Sequence, residues 1–283
     1  MGFQRILALS DLSENSCSGL ALADQLARRM HAHVTVGYAH TNPNLLRGYS
    51  HSETDTERLA VWVRQEDEER LQHLAREHIE ALRLDGLATV DAARSRAGVT
   101  ELIARVKPDL VCMATRGRSG LGHLLLGSIA EHTIRTAGVP VVVTRGAAIP
   151  AADDPIKVLV AADLLDDPFY LAHRVAAFLR PNDELVMAHV VESWYYSPAP
   201  YGSEFALPQP DVPKLVAAAS ERLSSLDLGP EAPTVSVVVK PGRAGEALVA
   251  LEGEVKPHLV VARTHGRRGF DRMMLGSVSE YLA

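Results

Sequence analysis

Aromatic residues are scarce in this chain, at 5% of its 283 residues, so its hydrophobic core has to be built from Ala, Val, Leu and Ile. Such side chains suit parallel strands that are buried under helices on both faces. Cysteine occurs only at Cys17 and Cys112, which excludes a disulfide framework and makes a cytoplasmic location the expectation. No apolar run approaches the ~18 residues of a membrane span, so the chain is not expected to cross a membrane.

A surplus of basic charge is also lacking. The chain has 29 Lys and Arg against 35 Asp and Glu, for a formal net charge of −6. Binding to nucleic acid depends on basic side chains that neutralise phosphates, so no nucleic-acid partner is expected. The length exceeds that of one average domain and favours two.

The chain repeats itself, which settles its organisation. The segment Lys107–Val111 recurs as Lys256–Val260, Gly117 matches Gly266, and Gly127-Ser128 matches Gly276-Ser277. In all three matches, the same number of residues separates a position in the first half from its counterpart in the second. The match between Asp11 and Asp163 spans slightly more residues. We therefore predict a duplicated domain over residues 1–146 and 155–283, joined by a linker at Gly146–Pro155.

Each half alternates strand patterns with helix patterns, which predicts right-handed crossovers and a parallel sheet. The predicted strands are Arg5–Ser10, Val34–Ala39, Leu87–Arg94, Leu110–Ala114 and Val139–Thr144, then Val158–Ala162, Leu185–His189, Val235–Val239 and Leu259–Ala262. The predicted helices are Cys17–Met30, a long helix closed at about Leu84 by Asp85-Gly86, Thr100–Val106, Ser128–Ala137 and Lys214–Leu226.

The two halves differ at their ends. After Glu131 the first half continues through a helix and a strand to Arg145, whereas only three residues follow the matching Glu280. The second half is therefore expected to lack its last strand. A truncated chain and a genuine variant are both compatible with this pattern.

Two loops in each half are predicted to meet at the carboxyl ends of the strands, where open parallel sheets bind ligands. The first loop is Ser10–Ser13, with the counterpart Asp163–Asp166. The second runs from Ala114 through Gly117 and Arg118 to Gly127-Ser128, with a counterpart from Arg263 through Gly266 and Arg267 to Gly276-Ser277.

The residue types in these loops suit a polyphosphate. Glycines let the backbone come close to phosphate oxygens, and a Gly-Ser pair at a helix start directs free N–H groups at an anion. An Asp after the first strand can accept hydrogen bonds from a ribose or a base. Each feature alone also fits a turn, a helix cap or an ordinary helix start, but the whole set occurs twice.

This pattern resembles that of the universal stress protein family, whose hallmark is Gly-x2-Gly-x9-Gly-(Ser/Thr) after an Asp at the end of the first strand. The resemblance implies an α/β fold of two tandem Rossmann-like (adenine nucleotide alpha hydrolase-like) domains. Each would have an open parallel five-stranded sheet of order 3-2-1-4-5 with helices on both faces. It also implies a cytoplasmic stress-response protein that binds ATP, with Mg²⁺ or Mn²⁺.

The resemblance assigns an ATP site to each half. In the first half its residues are Asp11, Ser13, Thr41, Ala114, Arg116, Gly117, Arg118, Gly127, Ser128 and Ile129. In the second half they are Asp163, Val190, Gly266, Arg267, Gly276, Ser277 and Val278. The first glycine of the hallmark is Ala114 in one half and Arg263 in the other, so we expect the first half to be the better ATP site. The neighbouring His40 and His189 are interpreted as satisfied strand-end residues.

Alternatives to an ATP-dependent switch remain open. The chain can be a nucleotide-free scaffold that acts through protein contacts, for which the aromatic loop at 194–205 is the candidate surface. A slow ATPase is the third possibility, although no catalytic residue and no cluster of metal ligands is predicted. The two halves are expected to form an intramolecular pseudo-dimer, and a homodimer is possible.

Overall fold

The computed structural model describes residues 2–41, 53–92, 94–115, 126–146, 149–150, 153–165, 167–192 and 211–264. The chain divides into two compact units, Met1–Ala152 and Asp153–Ala283. Among the described helices, none combines the length and the apolar character that a membrane span requires.

The first unit alternates strands with helices around one parallel sheet. Its strands are β1 (Arg5–Leu9), β2 (His33–Thr41), β3 (Leu84–Ala92), β4 (Leu110–Ala114) and β5 (Val141–Thr144). Its helices are α1 (Glu14–Met30), α2 (Glu53–His78), α3 (Ser95–Val106) and α4 (Ser128–Thr136). The strand order β3-β2-β1-β4-β5 confirms the predicted order 3-2-1-4-5.

The central strands of this sheet are buried on both faces. Leu7 of β1 and Met113 of β4 belong to a hydrophobic core with Leu102 of α3 and Ala130 of α4. Because side chains alternate along a strand, the remaining residues of β1 and β4 face the opposite side. There they meet α1, whose interior face includes the fully buried Leu20. The short apolar strands of the sequence are thus those that helices cover on both sides.

The second unit repeats this order. Its strands are β6 (Lys157–Ala161), β7 (Glu184–Val191), β8 (Thr234–Pro241) and β9 (Leu259–Val261), and its helices are α5 (Tyr170–Ala176), α6 (Val212–Ser224) and α7 (Ala244–Val255). The parallel order β8-β7-β6-β9 matches β3-β2-β1-β4 of the first unit. Over the described residues this sheet has four strands, as predicted.

The predicted end of the long helix is wrong. Helix α2 ends at His78, and the Asp85-Gly86 pair that was expected to close it lies inside β3. Successive residues of β2 pair with Leu84 and then with Gly86, so Asp85 is an extra residue in the ladder. Glycine in a strand often marks such an irregularity, and the sequence pattern alone does not distinguish it from a helix end.

The repeated Lys-Pro pairs have the same structural role in both units. Lys107 ends α3 and Lys256 ends α7, each in the left-handed conformation with φ of 50°. Their N–H groups donate to the carbonyls of Ile103 and Glu252, which satisfies acceptors of the last helical turn. The proline that follows cannot continue the helix, so the chain turns into the next strand.

The residue after each proline anchors the start of the unit's first strand. In the first unit the Asp109 carboxylate accepts hydrogen bonds from the N–H groups of Gln4, at 3.1 Å, and Arg5, at 2.9 Å. In the second unit Nδ1 of His258 accepts from the Lys157 N–H at 2.9 Å. The N–H group of the first residue of β1 and that of β6 therefore donate to equivalent positions of the chain, which carry different side chains.

Part of the predicted linker packs against the first unit. Ile149 is buried, at 4% exposure. Its N–H donates to Oε1 of Gln25 in α1 at 3.1 Å. The first unit therefore holds contacts with the chain beyond residue 146, where the first domain was predicted to end.

Candidate functional site

The loop between β1 and α1 holds Asp11 in a fixed orientation. Its Oδ1 accepts hydrogen bonds from the Ser13 N–H at 3.0 Å and from the Ser13 hydroxyl at 2.5 Å. Ser13 is the N-cap of α1, and its hydroxyl oxygen accepts from the Ser16 N–H at 3.3 Å. The Asp11 carboxylate is therefore presented at the carboxyl end of β1 by the same bonds that begin the helix.

A buried leucine fixes the turn between these residues. Leu12 has a φ of 63° and is 2% exposed. That left-handed conformation is uncommon for a residue other than glycine. The Leu12 N–H donates to Oγ of Ser10 at 3.0 Å, and this oxygen lies 2.9 Å from Oγ of Ser16. Burial and hydrogen bonds together stabilise the loop that carries the predicted Asp11 and Ser13.

Strand β4 brings the second part of the site to the same edge. Ala8 of β1 pairs with Cys112 of β4, so the carboxyl ends of the two strands are neighbours. Ala114 is the last residue of β4, and α1 lies directly against it. A Cβ on Gly19 would lie only 2.7 Å from the Ala114 nitrogen. Sequence reasoning missed Gly19, although an isolated glycine inside a helical pattern often has a packing reason.

Gly127 is required by a close approach of two backbone segments. Its N–H donates to the Thr115 carbonyl at 3.0 Å. A Cβ on Gly127 would lie 2.4 Å from that carbonyl oxygen. The predicted reason for a glycine here was access for a phosphate. The structure adds that the backbone itself leaves no room for a side chain.

The start of α4 has the properties of an anion site. Gly127 is its N-cap and provides no side-chain acceptor. The N–H groups of Ser128, Ile129 and Ala130 have no acceptor within the helix, because the first turn of any helix lacks one. Free N–H groups and the helix dipole attract negative charge. Glu131 would oppose an anion here, but Oε1 of its carboxylate forms an ion pair with Arg135 at 2.5 Å.

Strand β2 ends beside these loops. Thr41 is its last residue and pairs with Ala92, so its backbone lies at the same edge of the sheet. The preceding His40 is buried, with Nδ1 3.4 Å from Oδ2 of Asp67. The Tyr38 hydroxyl donates to the same oxygen at 3.0 Å. These contacts with α2 favour a structural role for His40, but its buried Nε2 has no hydrogen-bond partner among the described residues, so the histidine is only partly satisfied.

In the second unit, Asp163 reproduces the turn of the first. Its Oδ1 accepts from the Leu165 N–H at 3.0 Å, as Asp11 does from Ser13. His189 lies with Nδ1 2.8 Å from the Ala162 carbonyl, so this nitrogen carries the proton and donates. The histidine is thus satisfied within its own unit.

Val190 and Thr41, which were assigned to the two sites from the sequence, do not occupy equivalent positions along strands β7 and β2. The residues opposite the last residue of the first strand are Gly37 in one unit and Ala188 in the other. Val190 therefore corresponds to Ala39, two residues before the end of β2. It is 7% exposed and belongs to the hydrophobic core with α7.

Arg263 follows β9, where the family hallmark has its first glycine. Its guanidinium carbon lies 5.4 Å from the ring centroid of Tyr170, the first residue of α5. This distance is typical of a cation–π contact. The arginine side chain thus lies over the helix that follows the first loop of this unit.

Several predicted site residues fall outside the described part of the chain. They are Arg116, Gly117 and Arg118 in the first half, Gly266, Arg267, Gly276, Ser277 and Val278 in the second, and the aromatic loop at 194–205. Over the described ranges, no three His, Cys, Asp or Glu side chains are grouped as metal ligands would be.

Two observations now define the class of the protein. Each unit has the parallel order of a Rossmann-like α/β domain, and the first places an acidic loop beside a glycine-capped helix start. The model of the universal stress protein family matches residues 2–145 and 156–283. The chain belongs to this family, as a tandem member with two copies of the domain.

Known relatives agree with this assignment. A universal stress protein of Mycolicibacterium smegmatis is 32% identical over 200 residues, which cover 70% of this chain and 66% of the relative. One from Mycobacterium tuberculosis H37Rv is 32% identical over 177 residues, 60% of this chain and 57% of the relative. The aligned part of the chain thus spans less than two thirds of either relative. The crystal structure of a universal stress protein from Archaeoglobus fulgidus shares the fold, at 21% identity and a TM-score of 0.56, over 99% of this chain and 93% of that one.

Proposed function

We propose that the first unit binds ATP where the carboxyl ends of β1 and β4 meet, and that the chain acts as a nucleotide-dependent switch or interaction module in a stress response. The observation that carries this proposal is the start of α4. Its N-cap is a glycine held against the Thr115 carbonyl, with 3.0 Å between the Gly127 nitrogen and the Thr115 oxygen. No side chain of this residue therefore stands between an anion and the first turn of the helix.

The remaining residues at this edge fit a nucleotide. The N–H groups of Ser128 and Ile129 suit phosphate oxygens. The Asp11 carboxylate, fixed by Ser13, suits a ribose hydroxyl or an adenine amino group as a hydrogen-bond acceptor. Ala114 adds one methyl group relative to glycine, which narrows the site without introducing charge. Mg²⁺ would be held chiefly by phosphate oxygens and water, since it rarely uses a cage made of protein alone, and Mn²⁺ accepts the same kinds of oxygen ligand.

A contact between helices supports the switch. Nε2 of His132 in α4 lies 3.2 Å from Oγ1 of Thr100 in α3. Through this exposed hydrogen bond, a displacement of α4 can be transmitted to α3. The coupling requires a ligand with different affinity for two arrangements of these helices.

For the second unit, a specific contact favours the alternative of a nucleotide-free interaction module. Arg263 replaces the first glycine of the hallmark, and its guanidinium lies over Tyr170 at 5.4 Å. An arginine held there occupies space that a glycine leaves open. We expect ATP to bind the chain with a stoichiometry of one, in the first unit.

The first experiment is mass spectrometry of ligand released from freshly purified full-length protein, followed by calorimetric titration with ATP. Gly127→Ala should abolish binding, because the added Cβ would lie 2.4 Å from a carbonyl oxygen that cannot move aside alone. Gly86→Ala is the matched control in the same unit, since a Cβ there meets nothing within 4 Å. Ser128 is exposed, and its hydroxyl can donate one hydrogen bond to a phosphate oxygen in addition to that of its N–H. Ser128→Ala removes only the hydroxyl and should weaken binding about two- to tenfold.

Wild-type protein that releases no nucleotide and gives no heat with ATP would contradict the proposal and favour the scaffold. Phosphate release from ATP that disappears in Gly127→Ala would instead support the slow ATPase. Light scattering distinguishes a self-sufficient monomer, in which the two halves form a pseudo-dimer, from a homodimer. Deletion of residues 194–205 in a pull-down tests the predicted protein contact.

A further inference from the structure

Thr115, directly after β4, is the residue from which a further inference starts. Its N–H donates to the Thr144 carbonyl at 2.9 Å, and its carbonyl accepts from the Gly127 N–H at 3.0 Å. The backbone of Thr115 is thus satisfied on both sides. The whole residue is only 4% exposed, and within the described part of the chain its Oγ1 is buried with no hydrogen-bond partner.

Other buried threonines of this unit use their hydroxyls. Thr133 donates to the Ile129 carbonyl at 2.8 Å. The hydroxyl oxygen of Thr144 accepts from the Gly146 N–H at 3.1 Å. A buried hydroxyl without an acceptor destabilises a fold, and valine would fill the same space without that cost. The unsatisfied hydroxyl of Thr115 therefore calls for an acceptor that the described residues do not supply.

The strand places this hydroxyl on the side of α4. Val111 and Met113 of β4 contribute to the core that contains Ala130, in the first turn of α4. The hydrogen bond from the Thr115 N–H to β5 continues the ladder of β4 by one residue. Since side chains alternate along a strand, Thr115 lies on the same face as Met113. The Thr115 carbonyl also accepts from the N-cap residue of α4, so the side chain lies on the face that α4 covers, next to the beginning of that helix.

We infer that the Thr115 hydroxyl donates a hydrogen bond to an anionic oxygen of the ligand at the start of α4, a phosphate oxygen of the nucleotide. This inference rests on the proposed function and adds a binding residue to it. An anionic acceptor suits the position, because the neighbouring helix start already favours negative charge. The ligand would satisfy a donor for which the described residues provide no acceptor.

The test compares the ATP affinities of Thr115→Val and Thr115→Ser with that of the wild-type full-length protein, by calorimetry. Thr115→Val keeps the shape and removes the donor, so it should weaken binding about tenfold or more, as expected for a bond to a charged group. Without ATP its unfolding midpoint should be equal to or above that of the wild type. Thr115→Ser keeps the hydroxyl and should stay within about threefold of wild-type affinity.

Thr133→Val is the matched control, because it removes a nearby buried hydroxyl that already has an acceptor; its ATP affinity should not change. If Thr115→Val binds ATP as the wild type does, the inference is overturned and the proposed function stands. If Thr115→Ser loses as much affinity as Thr115→Val, packing rather than the hydroxyl is responsible, which also overturns it. Wild-type protein that does not bind ATP overturns the proposed function itself. Thr115→Ala provides a second variant without the hydroxyl should the valine variant fail to fold.

Discussion

Replacing Gly19 by alanine should destabilise the first unit, whereas the same replacement at Gly253 should stabilise the second. Both glycines lie inside helices, where alanine is favoured over glycine by roughly 0.5–1 kcal/mol. At Gly253 a Cβ would meet nothing within 4 Å. Only the more favourable helix propensity of alanine therefore changes the stability there. At Gly19 a Cβ would lie 2.7 Å from the Ala114 nitrogen and 2.9 Å from the Met113 carbonyl carbon. These are backbone atoms of a central strand and cannot rotate away.

Overpacking of this kind costs roughly 1–3 kcal/mol. After subtraction of the helix propensity gain, Gly19→Ala should lower the free energy of unfolding by up to about 2.5 kcal/mol, with a central value of roughly 1 kcal/mol. Hydrogen exchange detected by mass spectrometry at increasing urea concentrations measures the unfolding of each unit separately. The same displacement of α1 from Ala114 should weaken ATP binding, which calorimetry measures. A Gly19→Ala protein at least as stable as the wild type would refute the reasoning, because α1 would then have room to move.

Two further predictions concern titratable groups. Hydrogen bonds from Arg28 and Arg83 lower the pKa of Glu80 below its usual 4.5, so its stabilising contribution is present above that pH and is lost as the pH falls through the lowered value. Glu80→Gln should therefore lower the urea midpoint at neutral pH, and the difference should vanish in acid. Burial raises the pKa of the Cys112 thiol to about 12, so iodoacetamide should label the partly exposed Cys17 first and Cys112 only on unfolding. Equal labelling rates in folded protein would contradict this order.

The sheet could be predicted because its strands are short, apolar and repeated. Strand β4 was predicted with its observed bounds, Leu110–Ala114, since it is bounded by a proline on one side and by the glycine-rich loop on the other. Helix α5 has no side-chain cap at Phe169 and only seven residues, so its sequence carries no start signal. The end of α2 was missed because Asp-Gly pairs occur both in turns and in strand irregularities.

Only those residues of the candidate site that belong to a sequence motif or repeat could be predicted. The hallmark identified Gly127 and the repeat identified Asp11, because both are fixed by spacing along the chain. Gly19 and Thr115 matter through distances across the fold, and no local pattern shows these. Thr41 and Val190 were assigned to the two sites from the sequence, but the strand registers make Val190 equivalent to Ala39. The spacing between the two halves changes along the chain, and the position of that change cannot be located without the registers.

The pair Asp109 and His258 bears on how the duplicated copies open. A carboxylate can receive several N–H groups at once, and Asp109 receives those of Gln4 and Arg5. A neutral imidazole has one acceptor nitrogen, and His258 uses it for Lys157 alone. The N–H of the preceding residue, Ile156, donates instead to Oδ1 of Asp183 at 2.7 Å. The first strand of each copy is therefore held at its beginning through the same two N–H groups, by one side chain in the first copy and by two in the second. After duplication the two copies differ in how this anchor can fail: loss of the Asp109 side chain releases both N–H groups of the first copy at once, whereas loss of the His258 side chain leaves the Ile156 bond in place, so local fraying should follow the first change more than the second.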